Sequence, residues 1–274
     1  MNPIRAILLL ACLTATTAFA EPVVMTPSDW KGFAKQSFDF EGHKAFVVVP
    51  KESASGNPWV WRTSFPDFHA EVDIELVKEG FHIAHVDVVS MLGSDGSLEI
   101  MDRFYALLRD QWSLAEKPAL EGVSRGGLHA YRYASTRPNR VACIYADTPV
   151  MDLKSWPLKA DKTKGPYVDA LKFYGFADEA ALVAYKGNPL DLLEPIAKAK
   201  IPLRHVISTN DTVVPAEDNT LEAKRRLEKF GWTIDVLIVD PTTTINGGHH
   251  FPLVGIPESV AFVKKHAGAV GKKE

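Results

Sequence analysis

Cysteine is nearly missing from this chain: two residues, Cys12 and Cys143, among 274. Cys12 lies in a segment read below as removed, which leaves Cys143 alone and excludes an internal disulfide. Cys143 sits inside the apolar run 141–145, where a thiol reads as strand packing rather than chemistry. No Cys/His spacing of the zinc type occurs, and no metal or cofactor is called for. Long basic runs are missing as well. With 31 Lys and Arg against 34 Asp and Glu the net charge is −3, which gives no electrostatic support to nucleic-acid or anionic-membrane binding. There is no internal repeat and no low-complexity segment. The apolar stretch near the N-terminus is too short to span a bilayer, so no integral membrane segment is expected in the mature chain.

What is present describes a globular protein: 46% hydrophobic and 24% charged residues, at a length that buries one large core. The first twenty residues differ from the rest. Arg5 supplies a positive start, residues 6–13 an apolar centre, and Ala18-Phe19-Ala20 a small-x-small cleavage site before Glu21. A signal peptide over 1–20 is therefore expected, with export to the periplasm or beyond and a single domain over 21–274. Leu9-Leu10-Ala11-Cys12 admits a second reading, a lipoprotein signal acylated at Cys12.

Along the remainder, apolar strand-like runs alternate with helix-like ones, the sign of an α/β protein with a mostly parallel central sheet and helices on both faces. Strands are expected at 46–49, 59–62, 81–88, 117–121, 141–145, 202–208 and 233–239. Helices are expected at 68–79, 100–111, 127–136, 221–230 and 257–266. Between about 151 and 200 the pattern loosens into a stretch rich in aromatics and broken by prolines, too long for a simple crossover. A small helical cap over the strand ends is the expected use, because ligands of such sheets sit beyond the carboxyl ends of the strands. Most of its aromatics would pack the insertion's own core.

Gly122-Val123-Ser124-Arg125-Gly126-Gly127 falls between the expected strand at 117–121 and the expected helix at 127–136. A serine on a sharp strand-to-helix turn has its hydroxyl exposed above the sheet edge, and the flanking glycines avoid clashes with the neighbouring strand and helix. This pattern reads as a nucleophile elbow. A serine hydroxyl still needs a base, and the base an orienting acid.

Two further segments follow in order, each just past a strand: Asn210-Asp211-Thr212-Val213-Val214-Pro215 and Gly247-Gly248-His249-His250. With the elbow, they make the chain resemble the α/β-hydrolase superfamily, within its esterase and prolyl-oligopeptidase-like serine hydrolases, from about residue 46 to 266. The resemblance implies the α/β-hydrolase fold and a Ser124–His249–Asp211 triad: Ser124 attacks an acyl carbon, His249 moves its proton, and Asp211 holds the imidazole. The backbone N–H of Arg125 is the first expected oxyanion donor; the second is expected from Arg62 or Thr63 after an earlier strand. The His-Gly-Gly loop that many lipases and esterases carry there is missing. His250 competes with His249 for the base, and Asp147, also at a strand end, competes with Asp211 for the acid.

The expected pocket draws on Trp61, Asp152, Trp156 and His250, with Arg62 placed to grip a carboxylate or a hydroxyl-rich ligand. Trp59 and Trp61 share one strand face and read first as core. The function that follows is an exported serine hydrolase cleaving a carboxylic ester through an acyl-enzyme. Its substrate would be a small molecule or an oligosaccharide ester, an acylated carbohydrate being one such candidate. The alternatives are a serine peptidase of the prolyl-oligopeptidase-like group and a non-catalytic binding protein of the same fold.

Overall fold

The computed structural model describes residues 23–268 apart from 160, 161 and 164. The expected signal peptide and Cys12 lie outside the described residues.

Three antiparallel strands come first: β1 (Thr26–Trp30), β2 (Phe33–Phe40) and β3 (His43–Val49). Their two-residue connections, Lys31-Gly32 and Glu41-Gly42, hold φ of 52°, 88°, 54° and 84°, the mirror-image turn that matches strand twist. Asp29 and Asp39 accept from the N–H groups of Gly32 and Gly42 at 3.1 and 2.8 Å. β1 and β2 are additional to the strands expected from sequence; β1 is mostly exposed, so its apolar signal is weak.

The parallel part follows, with β4 (Trp59–Arg62), β5 (His82–Val86), β6 (Ala119–Val123), β7 (Cys143–Asp147), β8 (Leu203–Ile207) and β9 (Asp235–Ile238). The nine strands lie in the order β1-β2-β3-β5-β4-β6-β7-β8-β9, parallel from β5 to β9. The central strands β4, β5, β6, β7 and β8 are buried along their whole length, which is why they read as continuous apolar runs.

Helices cover both faces. One face packs Trp59, Trp61, Leu120 and Ile144 against α2 (Asp95–Gln111) and α3 (Gly126–Thr136). Trp59 and Trp61 stack at 5.4 Å, and the Trp59 indole N–H is satisfied by the Ala115 carbonyl at 2.7 Å. The other face packs Val60, Ile83, Ala119 and Cys143 against α1 (Glu71–Lys78) and α8 (Ile256–Ala267). Burial pushes the Cys143 thiol up, as suits an inert core group.

Past β7 the chain forms α4 (Gly165–Tyr174), α5 (Glu179–Ala184) and α6 (Leu193–Lys198) before returning to the sheet as β8, with α7 (Thr220–Glu228) between β8 and β9. Tyr174, Phe176 and Tyr185 of this stretch pack on one another at 5.2–5.3 Å, in a third apolar cluster with Leu92, Leu128 and Val150. Trp156 packs at the margin of that cluster. No helix among the described residues is long and apolar enough to cross a membrane.

Candidate active site

The turn from β6 into α3 carries Ser124 at φ 51°, a left-handed conformation that a non-glycine residue holds only under constraint. The constraint is visible in the backbone. Ser124 donates its N–H to the Asp147 carbonyl at 2.8 Å, and its own carbonyl accepts from Val150 and Gly127 at 2.8 and 3.0 Å. Gly126 lets the turn close against the loop after β4: a Cβ there would lie 2.1 Å from Ser64 Oγ. Ser64 Oγ donates to the Val123 carbonyl at 2.7 Å, so the space is already committed.

Asp211 follows β8 and His249 follows β9, on two loops that touch. Thr212 donates its N–H to the Gly247 carbonyl at 2.7 Å. Gly248, at φ 87°, packs so tightly that a Cβ would meet the Asn210 carbonyl oxygen at 2.3 Å. The paired glycines thereby bring base and acid together. Ser124 Oγ lies 3.0 Å from His249 Nε2, and His249 Nδ1 lies 2.6 Å from Asp211 Oδ2. The other carboxylate oxygen of Asp211 accepts from the N–H groups of Val213 and Val214, both at 2.8 Å. Asp211 is 5% exposed and His249 8%, so water competes little for these bonds. An acid held by two amides, a base held by that acid and a hydroxyl within reach of the base form the relay of a serine hydrolase.

The relay opens into a cavity of about 330 Å³. Its walls include Phe65 and Phe68 from the loop after β4, Trp156, Thr148 and His250.

No family model and no curated protein matches the chain. Solved structures do resemble it. An S-formylglutathione hydrolase from Agrobacterium tumefaciens aligns with TM-score 0.64 at 16% identity, over 89% of this chain and 99% of that one. A sugar hydrolase from Lactococcus lactis aligns with TM-score 0.59 at 16% identity, over 84% and 97%. A puromycin-hydrolyzing peptidase from Mycobacterium tuberculosis aligns with TM-score 0.63 at 18% identity, over 82% of this chain and only 38% of the peptidase. The chain has the α/β-hydrolase fold.

Within that α/β-hydrolase fold, the competing acid and base have other occupations. The Asp147 carboxylate pairs with Nδ1 of His69, whose Nε2 lies 2.7 Å from the Phe251 carbonyl. A ring nitrogen facing a carbonyl must carry hydrogen, so the second nitrogen, facing a carboxylate, is a donor only in the imidazolium. Burial opposes that charge, but the hydrogen bond and attraction from Asp147 outweigh it and hold the His69 pKa above its ordinary value. His69 thus ties the loop two residues beyond His249 to the strand end that pins Ser124. His250 stands at the pocket wall, 5.0 Å from the Phe68 ring, its pKa lowered by burial and by the neighbouring histidines.

Arg62 is placed elsewhere than a ligand grip requires. Its guanidinium is 0% exposed and ion-paired to Asp73 at 2.8 Å and Glu121 at 2.5 Å, and it also donates to the carbonyls of Phe65 and Phe68. Trp61 is wholly buried in the core, and Asp152 faces a different surface cavity with Lys154 and Asp218. The Thr63 N–H is already committed to the Glu121 carbonyl at 3.0 Å. Phe65, two residues on, was not singled out from sequence: it lines the pocket at φ 43°. Among the described residues nothing accepts from the backbone N–H of Phe65 or of Arg125. The sequence signal for Phe65 was its place just after the strand at 59–62, where the second oxyanion donor is expected.

Proposed function

We propose that the protein hydrolyses a small carboxylic ester by a two-step acyl-enzyme mechanism. The observation that carries this is the continuous relay Ser124–His249–Asp211, at 3.0 and 2.6 Å, at the floor of an accessible pocket. His249 Nε2 takes the Ser124 proton as Oγ attacks the acyl carbon, while Nδ1–H donates to Asp211 throughout. The oxyanion is received by the N–H groups of Arg125 and Phe65. Collapse breaks the ester bond, and His249 returns its proton to the leaving alcohol. Water then attacks the acyl-enzyme with His249 again as base, releasing the acid and restoring Ser124.

An acylated carbohydrate is the finer substrate proposal, with the Trp156 ring as the apolar platform a sugar face would use. Residues 151–200 serve in this reading as the cap that brings Trp156 to the pocket. Export through a signal peptide over 1–20 is proposed from the sequence pattern.

A fluorophosphonate probe and intact-mass measurement test the activated serine. One adduct on the wild type and none on Ser124→Ala is expected, with turnover of aryl esters falling by about three to six decades in that variant. Folded wild-type protein that takes no adduct would overturn the reading. Matched ester and amide substrates then separate esterase from peptidase.

A further inference from the structure

The residues lining the pocket include one arginine and no carboxylate. Arg125, the residue after the nucleophile, lines the cavity half-buried, with its guanidinium carbon 5.3 Å from the Phe65 ring and 5.0 Å from the Trp156 ring. Among the described residues no carboxylate or carbonyl accepts from it. The carboxylate whose charge acts on it, Asp169 of α4, makes no ion pair with it. Other arginines in this protein show what a paired guanidinium looks like: Arg62, Arg132, Arg137 and Arg204 each carry an ion pair.

Ring faces attract a cation, but they leave the five in-plane N–H donors unbonded. Burial already disfavours the charge, lowering the Arg125 pKa from its ordinary value. A planar fork of donors, stripped of part of its water and held against two rings beside the nucleophile, fits a carboxylate. No acidic side chain stands at the pocket wall to repel one. We propose that the Arg125 side chain is the substrate-selecting group of this site, favouring esters that carry a carboxylate within reach of the reacting acyl carbon. This deepens the esterase reading and rests on it.

The test compares, on the full protein, ester pairs in which a carboxylate is exchanged for a methyl group. The acyl-side pair is the 4-nitrophenyl monoester of glutaric acid against 4-nitrophenyl pentanoate, with uncatalysed hydrolysis subtracted. The alcohol-side pair is 4-acetoxybenzoate against 4-tolyl acetate. We expect kcat/KM to favour the anionic member of at least one pair by about 10- to 100-fold, the range of a charge-assisted hydrogen bond. In Arg125→Gln that ratio should collapse toward one, and in Arg125→Lys it should fall between; the ratio, not the absolute rate, is the readout. Wild-type protein with no anionic preference in either pair overturns the proposal without touching the variants' folding. A preference that persists in Arg125→Gln overturns the assignment to Arg125. Failure to cleave any of the four esters while Ser124 still takes a fluorophosphonate also overturns it, whereas failure to take the probe is failure of the hydrolase reading itself.

Discussion

Replacing Arg62 by methionine should damage both the stability and the catalysis of this protein, through separable routes. The guanidinium is fully buried and holds two buried carboxyls, Asp73 and Glu121. One cation with two carboxyls is neutral only when one of them keeps a proton. Burial pushes both carboxyls up, Glu121 well above its ordinary value. Removing the cation leaves a buried carboxylate unpaired, a change that costs about 3–5 kcal/mol. Against a total of about 5–15 kcal/mol this is a large fraction, and the urea midpoint should drop by about 1–2 M. Glu121→Gln, which imitates the protonated acid, should cost less than about 1 kcal/mol and so locate the proton.

Catalysis fails for a different reason. The same guanidinium donates to the carbonyls of Phe65 and Phe68, and so shapes the loop on which Phe65, the proposed oxyanion donor, lines the pocket. The triple variant Arg62→Met, Asp73→Asn, Glu121→Gln removes the stranded charges and should recover about half of the lost stability. It cannot restore the two donors to the loop. Loss of one oxyanion donor lowers kcat by about 10²–10³, so the triple variant should stay at least 10-fold down on a neutral aryl ester. Urea unfolding and steady-state kinetics on the same preparations decide it. A triple variant that regains full turnover would refute the link from Arg62 to the oxyanion loop, and Arg62→Met unfolding like wild type would refute the charge argument.

Two other predictions follow from the histidines. His249→Ala should lose about three to six decades in kcat, whereas His250→Ala, which removes a pocket wall rather than the base, should lose less than about 10-fold. Circular dichroism on both proteins keeps folding separate from chemistry. For His69 the sign is set by its raised pKa. The imidazolium's bonds to Asp147 and Phe251 stabilise the fold fully below the unfolded value of about 6.5, and that contribution is lost as pH rises through the folded value. Unfolding free energy measured from pH 6 to 9 should therefore fall in wild type and fall less in His69→Gln. Equal slopes would show that the ring is neutral.

The elbow was legible because three constraints coincide in one short window: a strand buried on both faces, two glycines and a helix start. The strand expected at 59–62 coincides with β4, since burial on both faces makes a continuous apolar run unambiguous. The helix expected at 68–79 begins only at Glu71, and the lost turn holds Phe68 and His69. His69 sits at φ 51°, outside the helical range, and the Arg62 guanidinium takes the Phe68 carbonyl that a helix starting there would have used. Its counter-charges lie 11 and 59 residues away in sequence, a separation no local pattern reports. β1 and β2 were missed for a different reason. Their hairpins are specified by Lys31-Gly32 and Glu41-Gly42, weaker turn signals than Asn-Gly or Asp-Gly, between strands that bury little.

Arg125 shows where reading a motif stops and reading a site begins. In Gly-x-Ser-x-Gly the residue after serine is free to vary, because its catalytic duty belongs to a backbone N–H that any residue but proline supplies. Its side chain is therefore unconstrained by the chemistry and available to the substrate. A charged side chain at such a position is neutralised by the protein, solvated by water or left for a ligand that displaces that water. Among the described residues the protein supplies two rings and no acceptor. An unpaired guanidinium in a pocket that small repels cationic esters as surely as it attracts anionic ones. A 4-nitrophenyl ester of an aminoalkanoic acid should then be cleaved more slowly than its neutral isostere, and Arg125→Glu should reverse that order.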